Sequence, residues 1–187
     1  MAVDPASAPR LIAYPTMTVE ALFASAEAPL HRPPSGETAY LQPEGPHTWV
    51  LRAGDRDVAF LPGRFTSIET FEGRIVRILS DPQMEYLDPK QCVSRAADVR
   101  KQLADAGFLE ADVFPEGELE SEIRERGGVR ACRFRGPGQA GEWMGEVRVE
   151  RAIEAGSDLA KILRMEEDAC LVKITIWDIR GAAAMIG

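Results

Sequence analysis

Residues 81–108 hold the pattern that most narrows what this chain can become. Asp88-Pro89 joins a helix-capping side chain to a residue suited to the first helical position, and Gly107 supplies a stop. Between them Cys92, Ala96, Val99, Leu103 and Ala106 recur at steps of four, three, four and three. That spacing sets all five on one face of a helix, with Arg95, Asp98, Arg100, Lys101 and Asp105 turned elsewhere. A helix over about 88–107 with such a face needs an apolar surface to cover.

The flanking segments promise that surface. Residues 48–52 and 57–61 are β-rich runs around Ala53-Gly54-Asp55-Arg56, and 66–71 and 74–79 flank Glu72-Gly73. Two hairpins are predicted, making in sequence a four-stranded meander. A third hairpin joins 129–135 to 142–151 through Gly136-Pro137-Gly138-Gln139-Ala140-Gly141. Its second strand alternates Trp143, Gly145, Val147 and Val149 with Met144, Glu146, Arg148 and Glu150. Residues 170–179 are apolar on both faces over part of their length, which predicts a strand central in its sheet. Residues 116–126 predict a mostly polar helix with Leu119 and Ile123 as its seam. Residues 157–165 predict a short helix carrying Leu159, Ile162 and Leu163, with a strand as the alternative. The expected class is α+β: an antiparallel sheet covered by one main amphipathic helix plus shorter helices.

Upstream, residues 1–17 read as an extended arm, and Thr18 is placed to cap a short helix through about Ala28. Prolines at 29, 33, 34, 43 and 46 then make a loop with a short extended segment at 38–42. The expected organisation is a Pro-rich arm over 1–46 and a single α+β domain over 47–187, a size that suits one core. Residues 181–187 are small and apolar, and are expected to fray or tuck against the body.

Thirty acidic against 22 basic residues give a net charge of -8, a surface that repels phosphate backbones and anionic headgroups and steers basic partners. Nucleic acid and membrane are therefore not expected as partners. No run approaches the roughly 18 apolar residues that span a bilayer, and the start lacks a signal-peptide pattern. The expected compartment is the cytoplasm, or the periplasm or exterior if the Met1 to Pro5 start follows a removed leader.

Chemistry is thinly provided. His31 and His47 both fall in the Pro-rich region, where exposed loop positions are expected, and neither has a second ligand beside it. There is no Gly-x-Ser-x-Gly elbow. The glycine spacing at 136–141 imitates a dinucleotide fingerprint but joins two strands, so it reads as a hairpin loop. Carboxylates at Asp55/Asp57, Glu69/Glu72 and Glu166/Glu167/Asp168 sit at turns, where solvation is the default. Cys92, Cys132 and Cys170 lie in apolar periods and read as packed hydrophobes; only Cys92, in a first helical turn, is placed for a lowered thiol pKa.

No catalytic residue, cofactor or metal site follows. The expected function is that of a small acidic, non-enzymatic binding protein, of bacterial inhibitor or immunity type, that engages a basic protein. Trp49, Trp143, Trp177, Glu146 and Glu150 are its interface candidates. A small-molecule binder or enzyme with a cavity between sheet and helix, using Glu69, Glu146 and Arg148, is the alternative, and an assembly subunit is the second.

Overall fold

Two sheets share one core in the computed structural model, which describes residues 7–30, 38–136 and 143–180. The small sheet holds β1 (Arg10–Ile12), β3 (Thr48–Ala53) and β4 (Arg56–Ala59), in the order β1-β3-β4. The large sheet has seven strands: β2 (Thr38–Leu41), β5 (Phe65–Phe71), β6 (Arg74–Asp81), β7 (Leu109–Val113), β8 (Gly128–Arg135), β9 (Trp143–Ile153) and β10 (Ala169–Asp178). Their order is β2-β5-β6-β10-β9-β8-β7, antiparallel throughout. Four helices complete the elements among the described residues: α1 (Val19–Ser25), α2 (Pro89–Asp105), α3 (Glu116–Arg126) and α4 (Asp158–Leu163). The protein is thus α+β, with α2 packed on an antiparallel sheet.

The main helix forms for the reasons its sequence gives. Asp88 accepts from the Gln91 amide at 2.8 Å and the Gln91 side chain accepts from the Asp88 amide at 3.2 Å, a closed capping box. Cys92, Ala96, Val99 and Leu103 are all buried against β9 and β10. Gly145 on β9 makes room for a neighbour there: a Cβ at that position would lie 2.3 Å from the Phe134 ring and 2.6 Å from the Thr175 carbonyl oxygen. Phe134 fills the space and meets Phe108 edge-on at 5.4 Å.

Two expectations change. The meander over residues 48–79 divides, because Pro62 and Gly63 separate its hairpins and β3 takes β1 as a parallel partner, with Leu11 opposite Trp49. Residues 109–113, for which no element was expected, form the edge strand β7; Leu109, Ala111 and Val113 alternate with Glu110 and Asp112, but the run is short and all five side chains are exposed. Arg100 holds this edge by pairing with Glu110 and Glu116, each at 2.8 Å. The stretch read as an arm supplies Leu11, Ala13, Met17, Leu22 and Leu41 to the common core. The tail 181–187, the start 1–6, His31 and most of the 136–141 loop lie outside the described residues.

The last strand, β10, lies between β6 and β9 and is buried along most of its length. It joins two halves, β2-β5-β6 and β9-β8-β7, that have no other pairing in the sheet order.

Candidate interaction surface

The residues singled out by sequence do not converge. Trp49 is buried, donating its indole N–H to the Ala13 carbonyl at 3.0 Å and stacking obliquely on Phe60 at 4.8 Å. Trp143 is buried beside Tyr14, their rings 6.1 Å apart. As interface anchors these two are corrected: both complete the core, where indole rings bury most area. Trp177, Glu146 and Glu150 do share a face, the side of the large sheet turned away from α2, with Trp177 opposite Met144 and Thr175 opposite Glu146. The charges there are already matched. Arg148 lies 3.8 Å from Glu146 and 3.4 Å from Glu150, and Lys173 also pairs with Glu150. This ladder suits a solvated sheet face more than a docking one. Glu69 likewise takes a hydrogen bond from the Tyr40 hydroxyl at 2.9 Å, which with the Glu69 charge raises the phenol pKa.

Buried polar chemistry exists, but in the core. His47 is 1% exposed, so its expected place in an exposed loop is corrected. Backbone bonds between His47 and Gly63 at 3.0 Å in both directions draw it in. Its Nδ1–H donates to the Gly45 carbonyl at 2.9 Å, which leaves Nε2 to accept from the Thr66 hydroxyl at 2.7 Å. Thr66 in turn contacts the Ser80 hydroxyl at 2.8 Å. This chain ties the small sheet to β5 and β6, and burial lowers the His47 pKa. Ser80 is as buried as its partners and offers no nucleophile to a substrate. The cysteines are buried free thiols. A hydrogen bond with Cys170, followed by burial, raises the Cys92 thiol pKa, which overturns any activation by the helix dipole. Burial pushes Cys132 up to about 11. Among the described residues no cluster of three or more His, Cys, Asp or Glu could hold a metal ion, and no helix is long and apolar enough to cross a membrane.

The surface that stands out surrounds α4. Ser157 caps this helix, its hydroxyl accepting from the Ala160 amide at 3.1 Å. Ala160 packs inward on Ile153 and Ala169, while Leu159, Ile162 and Leu163 are 50%, 76% and 48% exposed. Their spacing sets these three along one outward stripe. Acids frame it. Residues 154–168 hold five acids, Glu154, Asp158, Glu166, Glu167 and Asp168, against Lys161 and Arg164. The α3 helix holds Glu116, Glu118, Glu120, Glu122 and Glu125 against Arg124 and Arg126. The two stretches adjoin, since Arg151 donates to the Arg124 carbonyl at 2.8 Å and lies 3.6 Å from Asp168, and Arg124 comes within 4.0 Å of Glu167. Each carries a net -3, so together they hold six of the chain's eight excess negative charges.

Comparison with protein families, curated proteins and solved structures finds no match to this chain.

Proposed function

We propose that the protein is a non-catalytic binding protein, of inhibitor or immunity type, that engages a basic protein through the acidic surface of α3 and α4. The observation that carries this reading is the exposed stripe Leu159, Ile162 and Leu163 set in the most acidic part of the chain. Apolar side chains grouped at a surface are a standing cost that a partner removes, and the surrounding carboxylates select a partner of opposite charge.

Magnitudes divide the work between the two. Fully burying a large aliphatic side chain is worth roughly 1.5–3 kcal/mol, so covering three that are half to three-quarters exposed yields on the order of 3–4 kcal/mol. A micromolar complex needs about 8 kcal/mol. The stripe therefore serves as the centre of a larger contact, whose remainder falls on the glutamates of α3.

A helical peptide with leucines on one face and lysines on the other is the direct probe, titrated calorimetrically into the full chain at low and high salt. Saturable binding that weakens at least about tenfold at high salt and is lost in Ile162→Lys is the expected result. Equal binding to wild type and Ile162→Lys, or no binding at all, would sink the proposal. Sedimentation of both proteins adds a third outcome: a dimer that Ile162→Lys turns into a monomer would make a second copy the occupant and overturn the basic partner.

A further inference from the structure

A cleft of about 410 Å³ opens where β6 ends and the chain leaves the sheet. Its position follows from three local facts. The β6–β10 pairing runs from Arg77 opposite Trp177 to Ser80 opposite Ile174. Beyond it Gln83 takes over, donating to the Cys170 carbonyl at 3.1 Å and accepting from the Val172 amide at 2.9 Å, so the departing loop is pinned to β10. Behind the cleft Gly63 presses on the Asp81 backbone; a Cβ there would lie 2.1 Å from the Asp81 carbonyl oxygen.

The lining has a definite chemistry. Phe65 and Tyr86 present exposed rings, and Met84 and Leu171 add half-buried apolar surface. Asp81 borders the same space, and its Oδ1 is buried with no hydrogen-bond partner. The nearby cation Lys173 is paired with Glu150. At the rim Arg64 and Glu85 oppose each other in charge, which leaves Asp81 as the unbalanced group of the lining. An anion would meet that carboxylate without compensation, and a neutral apolar guest would leave it desolvated and unpaired.

We propose that this cleft binds a small organic ammonium ion, with the Asp81 carboxylate as its counter-charge and Phe65, Tyr86, Met84 and Leu171 as its walls. An ammonium supplies a positive charge both beside the Asp81 carboxylate and for the faces of two aromatic rings. The volume falls within the range of small-ligand pockets. The site is distinct from the α4 stripe and does not depend on it.

Burial raises the Asp81 pKa to about 6, and a bound cation favours the ionised form, so binding expels a proton and weakens below that pH. The experiment titrates phenethylammonium chloride, and in parallel uncharged phenylpropanol, into the full chain while amide NMR shifts are followed at about pH 7.5 and about pH 5. Saturable shifts at Phe65, Asp81, Met84 and Tyr86 are expected, with the ammonium at least about tenfold tighter than the alcohol at the higher pH and that preference reduced at the lower. Asp81→Asn should abolish the preference, while Phe65→Ala should weaken both ligands together. Equal affinity of ammonium and alcohol for wild type, an undiminished preference in Asp81→Asn, or no saturation up to about 10 mM would each overturn the assignment. If the Ile162→Lys protein binds phenethylammonium unchanged, the cleft stands whatever becomes of the α4 surface.

Discussion

Asp81 costs the fold stability at neutral pH. Its carboxyl titrates near 6 in the native state because burial penalises the charge, against about 3.9 in an unfolded chain. Between those values the native state holds the proton more tightly, so stability falls as pH rises from about 4 to about 6 and stays lower above. Asp81→Asn should therefore gain about 1–2 kcal/mol at neutral pH, after allowance for its partial exposure, and the gain should vanish near pH 3.5. Paired thermal melts at the two pH values check this, and a gain that persists at the acid end would refute it. Such a residue fits a group kept for binding at a cost in stability. His47 acts with the opposite sign. Burial lowers its pKa, so the unfolded chain takes the proton first; stability is present above about pH 6.5 and is lost as pH falls below it. In an Asp81→Asn background, where the opposing titration is absent, the unfolding midpoint should drop on acidification below about pH 6.5, and His47→Gln should flatten that drop. An equally steep decline in the double variant would place the titrating group elsewhere. Neither residue was legible in the sequence. His47 sits between Pro46 and Thr48 like any loop residue, and only its pairing with Gly63, sixteen positions on, buries it. Asp81 looks like an ordinary strand-end acid until the chain's departure from β10 encloses it.

Elements with a continuous apolar face were the readable ones. The capping box and stripe of α2, the Leu119 and Ile123 seam of α3 and the alternation of β9 each state in local sequence which side is buried. Leu103, in the last turn of α2 and part of its stripe, is 2% exposed, and Leu103→Ala should destabilise by about 2–5 kcal/mol in denaturant titrations. A midpoint that does not move would mean that α2 leaves the sheet without cost. The short helix α4 was readable for a different reason: Leu159, Ile162 and Leu163 fall at helical spacing although they face outward. Periodicity shows that a helix has a side. It does not show what, if anything, covers that side. β7 makes the same point, since Leu109, Ala111 and Val113 alternate with Glu110 and Asp112 although all five are exposed, and Arg100 pairing with Glu110 and Arg130 with Asp112 help to hold the strand.

At the scale of the molecule, the α+β class and the central position of β10 could be read from composition and pattern, whereas the partition into two sheets could not. That partition depends on which strand β3 meets, a choice made by the distant Leu11. Cutting the chain after Asp168 should leave a fragment without a cooperative melt, and a separate peptide spanning 169–187 should restore one on mixing; a fragment that folds alone would show the halves to be independent. The place of β10 also matters while the chain is being made. Its two neighbours along the sheet, β6 and β9, finish at Asp81 and Ile153, and β10 itself finishes at Asp178. At about 5–20 residues per second, a ribosome needs roughly 5–20 s to pass from the end of β6 to the end of β10. Throughout that interval β6 presents a bare edge to any other nascent chain. Synthesis slowed before Ala169 should therefore lower the soluble yield, and a chaperone that shields strand edges should restore it.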